Sequence, residues 1–379
     1  MKVVVDATML DGRPSGAATR LACLGAEHRR RGVVDVLHLV RPGCDPLPGL
    51  ACEPFADIDT PWGRSGAGRR LDAFLAGAGA DLFMAGALPL PAVRSVPQVL
   101  TLHDLRFLAP DGGQGLLRRL WARVALRRNL RRAQHVVSVS RSTQDELVAR
   151  GLLAPERVAV VPNAGSPGLE RVEDVQRIAA FRQQAGISGR YVLALGPLEP
   201  HKHVEDLIEV LGAVHQHPLA QDLALVVAGR ADPRQAFALA RYAARLGVAD
   251  VFRVVGVLDD EQLAAALSGA DALVSAGRHE GFAIPVVDAQ AIGVPVVAVD
   301  SGALPEVGAD GAWLSGPDDL AGFGAAILDA TTPSDMRDAR LRRGRALAER
   351  WSWRISAENL ETLWKGLIEG VASRNITLK

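Results

Sequence analysis

The chain has 379 residues, too many for one comfortable hydrophobic core, so two domains are expected. Apolar residues make up 48% and charged residues 23%, ordinary proportions for a soluble globular protein. Lys and Arg total 43, as do Asp and Glu, and the resulting zero net charge speaks against a whole-surface nucleic-acid binder.

The opening MKVVVDATML is not the h-region of a signal peptide, because Asp6 interrupts its apolar run. No apolar run approaches the roughly 18 residues of a membrane-spanning helix, so a cytoplasmic location is expected. Cys23, Cys44 and Cys52 form no CxxC pair and read as neither a disulfide framework nor a zinc site. Strand-like runs follow in order: KVVVD (2–6), VDVLHLV (34–40), QVLTL (98–102), HVVSV (135–139) and RVAVV (157–161). A second set comprises YVLAL (191–195), LALVVAG (223–229), FRVVG (252–256), ALVSA (272–276) and PVVAV (295–299). They are almost continuously apolar, which suits parallel strands covered on both faces. Helical patterns lie between them at 16–31, 141–150, 203–213, 234–246 and 283–292. This alternation predicts an α/β protein with two doubly wound, Rossmann-like parallel sheets. Turn residues and a single helix place the boundary at 165–188, between domains spanning 1–168 and 189–352. The tail 354–372 reads as an amphipathic helix that packs back on the first domain, with Ser356 as N-cap and Leu360, Leu363, Trp364 and Leu367 on one stripe. Two open sheets facing each other leave a cleft, and ligands of such sheets sit beyond the carboxyl ends of the strands.

The stretch GRHEGFAIPVVDAQAIGVPVVAV (277–299) carries Glu280 and Asp288 in an apolar frame, where a carboxylate is costly unless something satisfies it. Gly281 permits close backbone approach, Pro285 suits a first helical turn, and the helix start offers free N–H groups to a phosphate. A polyol phosphate would use all of these. Glu280 could instead merely complement the helix dipole, with Asp288 facing solvent. DSGALPEVG (300–308), a second Gly-rich loop at the same sheet end, favours a site.

HEGFAIPVVDAQAIGVPVVAVDSGALPEVGADGAWL (279–314) resembles the C-terminal signature of retaining, nucleotide-sugar-dependent glycosyltransferases of the GT-B fold, the group 1 or family 4 enzymes with an E-x7-E motif. LALGPLEPHKHVEDLIEVL, VVSVSRSTQDEL, VAVVPNAGS and LTLHDLRFLAP resemble further segments of that family, and the likeness covers about residues 1 to 370. The GPLEPHK stretch is most similar to the bacterial mannosyltransferase branch, which acts in polysaccharide biosynthesis.

The resemblance implies an acceptor-binding first domain and a nucleotide-sugar-binding second domain. It places Glu280 on the donor sugar hydroxyls, and the backbone of Gly281, Phe282, Ala283 and Ile284 along the sugar and pyrophosphate. The second acid, which clasps the ribose hydroxyls, is Asp288 here, one methylene shorter than the family's Glu. Lys202 matches the lysine that neutralises the pyrophosphate. Gly196 ends the first strand of the second domain, but Pro197 stands where the family often has an arginine. Arg278, Arg230, His201 and His203 are candidates to replace that charge. His103 matches a histidine that reaches the donor sugar, and Gly12 and Gly16 lie in a loop that would face the cleft. Asn163 matches a structural interdomain turn. The implied chemistry is transfer with retained configuration, the departing phosphate taking the acceptor's proton, with no metal or other cofactor and Glu280 not a nucleophile. GDP-mannose is the first donor expected, ahead of UDP- and dTDP-sugars. The acceptor is a hydroxyl of a glycan, a lipid-linked glycan or a small molecule.

DID (57–59) reads as a loop rather than a metal-binding DxD strand end. LLRRLWARVALRRNLRRAQ (116–134) carries seven arginines spread around the helix. It is read as a solvated helix with Leu117, Leu120 and Val124 turned inward, while a lipid-linked acceptor and a peripheral contact on the inner face of a membrane stay open. Competing classes are a degenerate nucleotide-sugar-binding protein and an epimerase or phosphorylase on the same architecture. A dehydrogenase is disfavoured by the lack of a G-x-G-x-x-G after a strand.

Overall fold

The computed structural model describes residues 1–10, 15–56, 68–109 and 116–370. Gly12 and the DID stretch lie outside the described residues. Two compact units are present, one gathering the described residues of 1–163 and 352–370, the other comprising Ala164–Trp351.

The first unit holds a parallel sheet of β1 (Lys2–Asp6), β2 (Asp35–Val40), β3 (Cys52–Pro54), β4 (Leu82–Ala85), β5 (Gln98–Leu102), β6 (His135–Ser138) and β7 (Val158–Val160), in the order β3-β2-β1-β4-β5-β6-β7. Its helices are α1 (Gly16–Arg31), α2 (Gly68–Ala78), α3 (Leu116–Arg132) and α4 (Arg141–Ala149). Helix α1 shows why these boundaries hold. The Ser15 hydroxyl accepts from Ala18 N at 3.1 Å, His28 to Arg31 crowd the negative end of the dipole, and Gly32 closes the helix at φ 63°. Val3, Val4 and Val5 of β1 are buried, as strands covered on both faces require.

The second unit has β8 (Arg190–Leu195), β9 (Leu223–Ala228), β10 (Phe252–Gly256), β11 (Ala272–Ser275), β12 (Val296–Val299) and β13 (Ala312–Ser315), all parallel, in the order β10-β9-β8-β11-β12-β13. Its helices are α5 (Val175–Gln184), α6 (Val204–Val214), α7 (Pro233–Arg245), α8 (Asp260–Ser268), α9 (Ile284–Ala291), α10 (Leu304–Gly308), α11 (Leu320–Thr331) and α12 (Asp335–Ala348). The chain then returns to the first unit as α13 (Trp353–Ile368). There Trp364 lies 5.0 Å from the His28 ring, and Glu361 binds His28 Nδ1 at 3.0 Å and Arg31 Nη2 at 2.9 Å.

Two sequence expectations are corrected. Ser356 is not the N-cap of α13. Ser352 holds that place, while Ser356 is buried one turn inside and donates its hydroxyl to Pro162 O at 2.8 Å. Nor do the apolar residues early in α3 turn inward. Leu117, Leu120, Trp121 and Val124 are 83%, 59%, 73% and 62% exposed, and Leu126, Asn129 and Leu130 are the buried ones. Both faces carry apolar residues at helical spacing, so periodicity alone does not choose between them. Asn129 settles the matter, its Oδ1 accepting from Leu90 N at 2.7 Å and its Nδ2 donating to Ala125 O at 2.7 Å. Among the described residues no helix is long and apolar enough to cross a membrane.

Candidate active site

In the second sheet β8 and β11 are neighbours, and the chain leaves them in opposite directions across the sheet. Such a reversal opens a crevice at the carboxyl ends of the two strands. The loop after β8 begins at Gly196, whose φ of 131° only glycine adopts readily, and a Cβ there would stand 2.8 Å from Lys202 Cε. The Pro200–Lys202 turn then carries Lys202 toward the loop after β11, where Nζ meets Glu280 Oε1 at 2.6 Å. These side chains are only 19% and 12% exposed, so the pair is largely shielded from water. The 300–303 loop pins the Glu280 loop from the far side. Ser301 Oγ donates to Arg278 O at 2.7 Å and Ala303 N to Glu280 O at 2.9 Å. The two Gly-rich loops singled out in the sequence are thus joined.

The helices that start beside this pair lack side-chain caps. His203 begins α6 at φ 49° and Ala283 begins α9 at φ 67°, both left-handed and without a capping hydrogen bond. Asp232, Asp259 and Ser334, by contrast, cap their own helices by accepting from first-turn N–H groups. A left-handed backbone at a non-glycine residue is unfavourable and concentrates at functional sites. The first turns of these two helices, with their positive dipole ends, follow directly on the loops that carry Lys202 and Glu280.

Gly281, Ala283 and Ile284 are half-buried in the loop and first turn, while Phe282 turns its ring inward onto Trp351, edge to face at 5.2 Å. Asp288 is buried on α9, with Oδ1 accepting from Ser166 N at 2.6 Å and Oδ2 from Ser166 Oγ at 2.8 Å. Burial pushes its carboxyl up to about 6, against the pull of the Ser166 bonds. Arg278 extends one nitrogen to Asp206 at 3.1 Å and another to Asp318 at 2.9 Å. Asp206 also meets His203 at 3.4 Å, and His201 meets Glu199 at 3.4 Å. Arg230 is 55% exposed and stands 3.7 Å from Glu199, the most loosely held of the four residues expected to replace the missing arginine.

In the first unit Gly16 is the exposed first residue of α1. His103 follows β5, and its Nε2 donates to Gly86 O, at the end of β4, at 3.1 Å. Burial, aided by the charge of Arg20, pushes its imidazole down to about 4. The ring is therefore neutral at pH 7, with Nδ1 as its acceptor nitrogen. Arg20 itself is fully buried and donates to Val161 O, Pro162 O and Asn163 Oδ1 at 2.9, 3.2 and 2.7 Å. Asn163 thus lies in an arginine-bound segment with no assigned turn. Nothing in the sequence marked Arg20, because one arginine early in a helix reads as a solvated residue. Ser166, in a loop, and Asp206, in a first helical turn, are equally unmarked, since polar residues are common at both places.

Residues 14–164 match the family profile "Glycosyltransferase Family 4", and residues 178–346 match "Glycosyl transferases group 1". The chain is 28% identical over 266 residues to the MMP alpha-(1->4)-mannosyltransferase of Mycolicibacterium hassiacum, a match covering 68% of this chain and 60% of that protein. It is 27% identical over 240 residues to the O-antigen chain mannosyltransferase RfbU of Salmonella typhimurium, covering 63% of this chain and 61% of that one. The matched stretch therefore spans about three fifths of the length of these curated relatives. Among solved structures, Anabaena Alr3699/HepE in complex with UDP-glucose superposes with a TM-score of 0.77 at 20% identity, over 98% of this chain and 100% of that one. With one profile on each half and a parallel α/β sheet in each unit, the chain belongs to the GT-B glycosyltransferases, family 4 in its first half and group 1 in its second.

Proposed function

We propose that the protein is a retaining hexosyltransferase that moves mannose from GDP-mannose to an acceptor hydroxyl. The observation that carries this is the Lys202–Glu280 contact, 2.6 Å, at the strand-order reversal of the second sheet. Across this contact the two charges satisfy each other. A diphosphate entering beside the uncapped start of α9 offers Lys202 a stronger partner, and Glu280 is released to accept hydrogen bonds from the sugar hydroxyls. As the glycosidic bond loosens, negative charge grows on the leaving diphosphate, where Lys202 and the helix N–H groups stabilise it. The acceptor attacks from the same face and its proton passes to the departing phosphate, so no strong protein base is needed. In this reading Asp288 clasps the ribose, and neutral His103 keeps the donor-sugar role that the likeness to the family implies. The charge of Lys202 and the helix start serves in place of a metal ion. Mannose is favoured by the two mannosyltransferase relatives, while the UDP-glucose complex of HepE keeps a UDP-sugar as the second donor to test.

A lipid-linked acceptor at an anionic membrane surface is favoured by one observation. Leu117, Leu120, Trp121 and Val124 form an exposed stripe on a helix whose sequence, LLRRLWARVALRRNLRR, holds seven arginines and no acid. Apolar side chains at the acyl boundary with arginines at the phosphates is the arrangement of a helix lying in a bilayer interface, which would place the protein peripherally on the cytoplasmic face.

Thermal unfolding with GDP, UDP, dTDP and ADP and their sugar conjugates, without metal, tests the donor. A ligand at 100 times its dissociation constant adds about 2.7 kcal/mol. One nucleotide standing out supports a transferase and names its donor class, whereas no shift with any would leave a degenerate binding fold as the better description.

A further inference from the structure

We propose that Ser166 is a positioning residue for donor binding, its backbone N–H and its hydroxyl holding the two oxygens of Asp288 in the orientation that accepts a vicinal diol. The inference rests on the reading of Asp288 as the ribose-binding acid. The two donors approach different oxygens, at 2.6 Å to Oδ1 and 2.8 Å to Oδ2, so the plane of the carboxylate is fixed and not merely its position. A carboxylate has about four acceptor sites, and two remain for ribose hydroxyls.

The contact is built into the chain. A Cβ on Gly165 would stand 3.0 Å from Asp288 Oδ1, tighter than an ordinary contact, so the 165–166 backbone comes this near because residue 165 is glycine. Asp is a methylene shorter than Glu and has one fewer torsion, so it samples less space. A short acid on a helix must be aimed by its surroundings, and Ser166 supplies both of the hydrogen bonds found on its oxygens. Burial works against the charged form of this carboxyl, and the Ser166 bonds are what oppose it. Removing the hydroxyl leaves Oδ2 without that donor in a buried place, free to rotate out of register or to take up a proton.

The test compares ribonucleotides with their 2′-deoxy counterparts, using GDP and UDP against dGDP and dUDP, titrated calorimetrically into the full chain and its Ser166→Ala variant. The wild type should prefer the ribonucleotide. The variant should lose roughly ten- to a hundredfold in ribonucleotide affinity, the worth of one hydrogen bond to a charged group, with little change for the deoxynucleotide. The ratio between the two then collapses, and Ser166→Thr restores it. A merely structural role would weaken both nucleotides alike, and that result overturns the proposal. So does a variant that binds the ribonucleotide more tightly, since Ser166 would then occupy the ribose place itself. If the alanine variant does not fold, Ser166→Thr against Ser166→Val, alike in shape and differing in the hydroxyl, carries the same comparison. A wild type that binds nucleotides without preferring ribose overturns this inference alone. A wild type that binds none overturns the proposed function with it.

Discussion

Replacing Glu280 by Gln separates the two roles proposed for the paired side chains of Lys202 and Glu280. Lys202 is held by the Glu280 carboxylate at 2.6 Å, with both side chains mostly shielded. In the proposed function a diphosphate has to compete with Glu280 for the ammonium. A hydrogen bond to a charged group contributes about 1.5–3 kcal/mol net. The glutamine keeps the shape and removes the charge, so much of that competition disappears. The nucleoside diphosphate alone should bind the Glu280→Gln variant as well as the wild type or up to about tenfold more tightly, since 1.4 kcal/mol is a factor of ten. Turnover should move the other way. The carboxylate that would accept from the sugar hydroxyls as charge develops is gone, and loss of one such interaction costs about a hundredfold or more in kcat. Calorimetry with the diphosphate and a coupled assay of nucleotide release measure the two effects separately. A common factor of loss in both would refute the division of labour between Glu280 and Lys202. Lys202→Ala is the converse, weakening the diphosphate itself, and unchanged affinity in that variant would be equally damaging.

Two further outcomes follow from particular side chains. The folded protein holds the proton of Asp288 up to about pH 6, whereas an unperturbed aspartate releases it near 3.8, so the native state binds more protons between those values and its stability falls as pH rises through that window, by up to about 3 kcal/mol. Asp288→Asn should lack this limb in denaturant titrations from pH 4 to 7, and parallel pH profiles for the two proteins would disprove the assignment. Converting Leu117, Leu120 and Trp121 together to Ser should reduce binding to phosphatidylglycerol vesicles at least tenfold without altering diphosphate affinity, and a wild type that ignores such vesicles at low salt would leave the acceptor without a membrane.

Much of the fold is written in local chemistry. Runs such as LALVVA and KVVVD announce buried parallel strands because β-branched residues crowd a helix and suit a pleat. LFMA (82–85), AWLS (312–315) and CEP (52–54) gave no such signal, being three or four residues long and free of β-branched side chains; the register of their neighbours makes them strands. The site divides in the same way. Glu280 and Lys202 stand out, one as a carboxylate in an apolar frame and both by likeness to a family, yet they are 78 positions apart and only the strand order explains their meeting. Ser166 and Asp288 are 122 positions apart and neither belongs to a pattern that includes the other. The inward face of α3 was illegible for a different reason, since two apolar stripes competed and a single hydrogen-bonded asparagine decided between them.

The Ser356–Pro162 hydrogen bond bears on how this chain can be cut. Helix α13 belongs to the first unit, so that unit is interrupted in sequence by the whole of Ala164–Trp351. Its two pieces nevertheless touch at the seam, with Ser356 Oγ 2.8 Å from Pro162 O and Arg20 gripping the carbonyls of Val161 and Pro162. From Ser352 to Ser356 is barely one helical turn, about 6 Å of rise. The second unit is in effect a cassette whose two ends share one doorway. A handful of glycines joining Asn163 to Ser352 closes that doorway and leaves the first sheet with its last helix in place, whereas a simple truncation after Asn163 strips away the residues that cover His28 and bind Pro162 O.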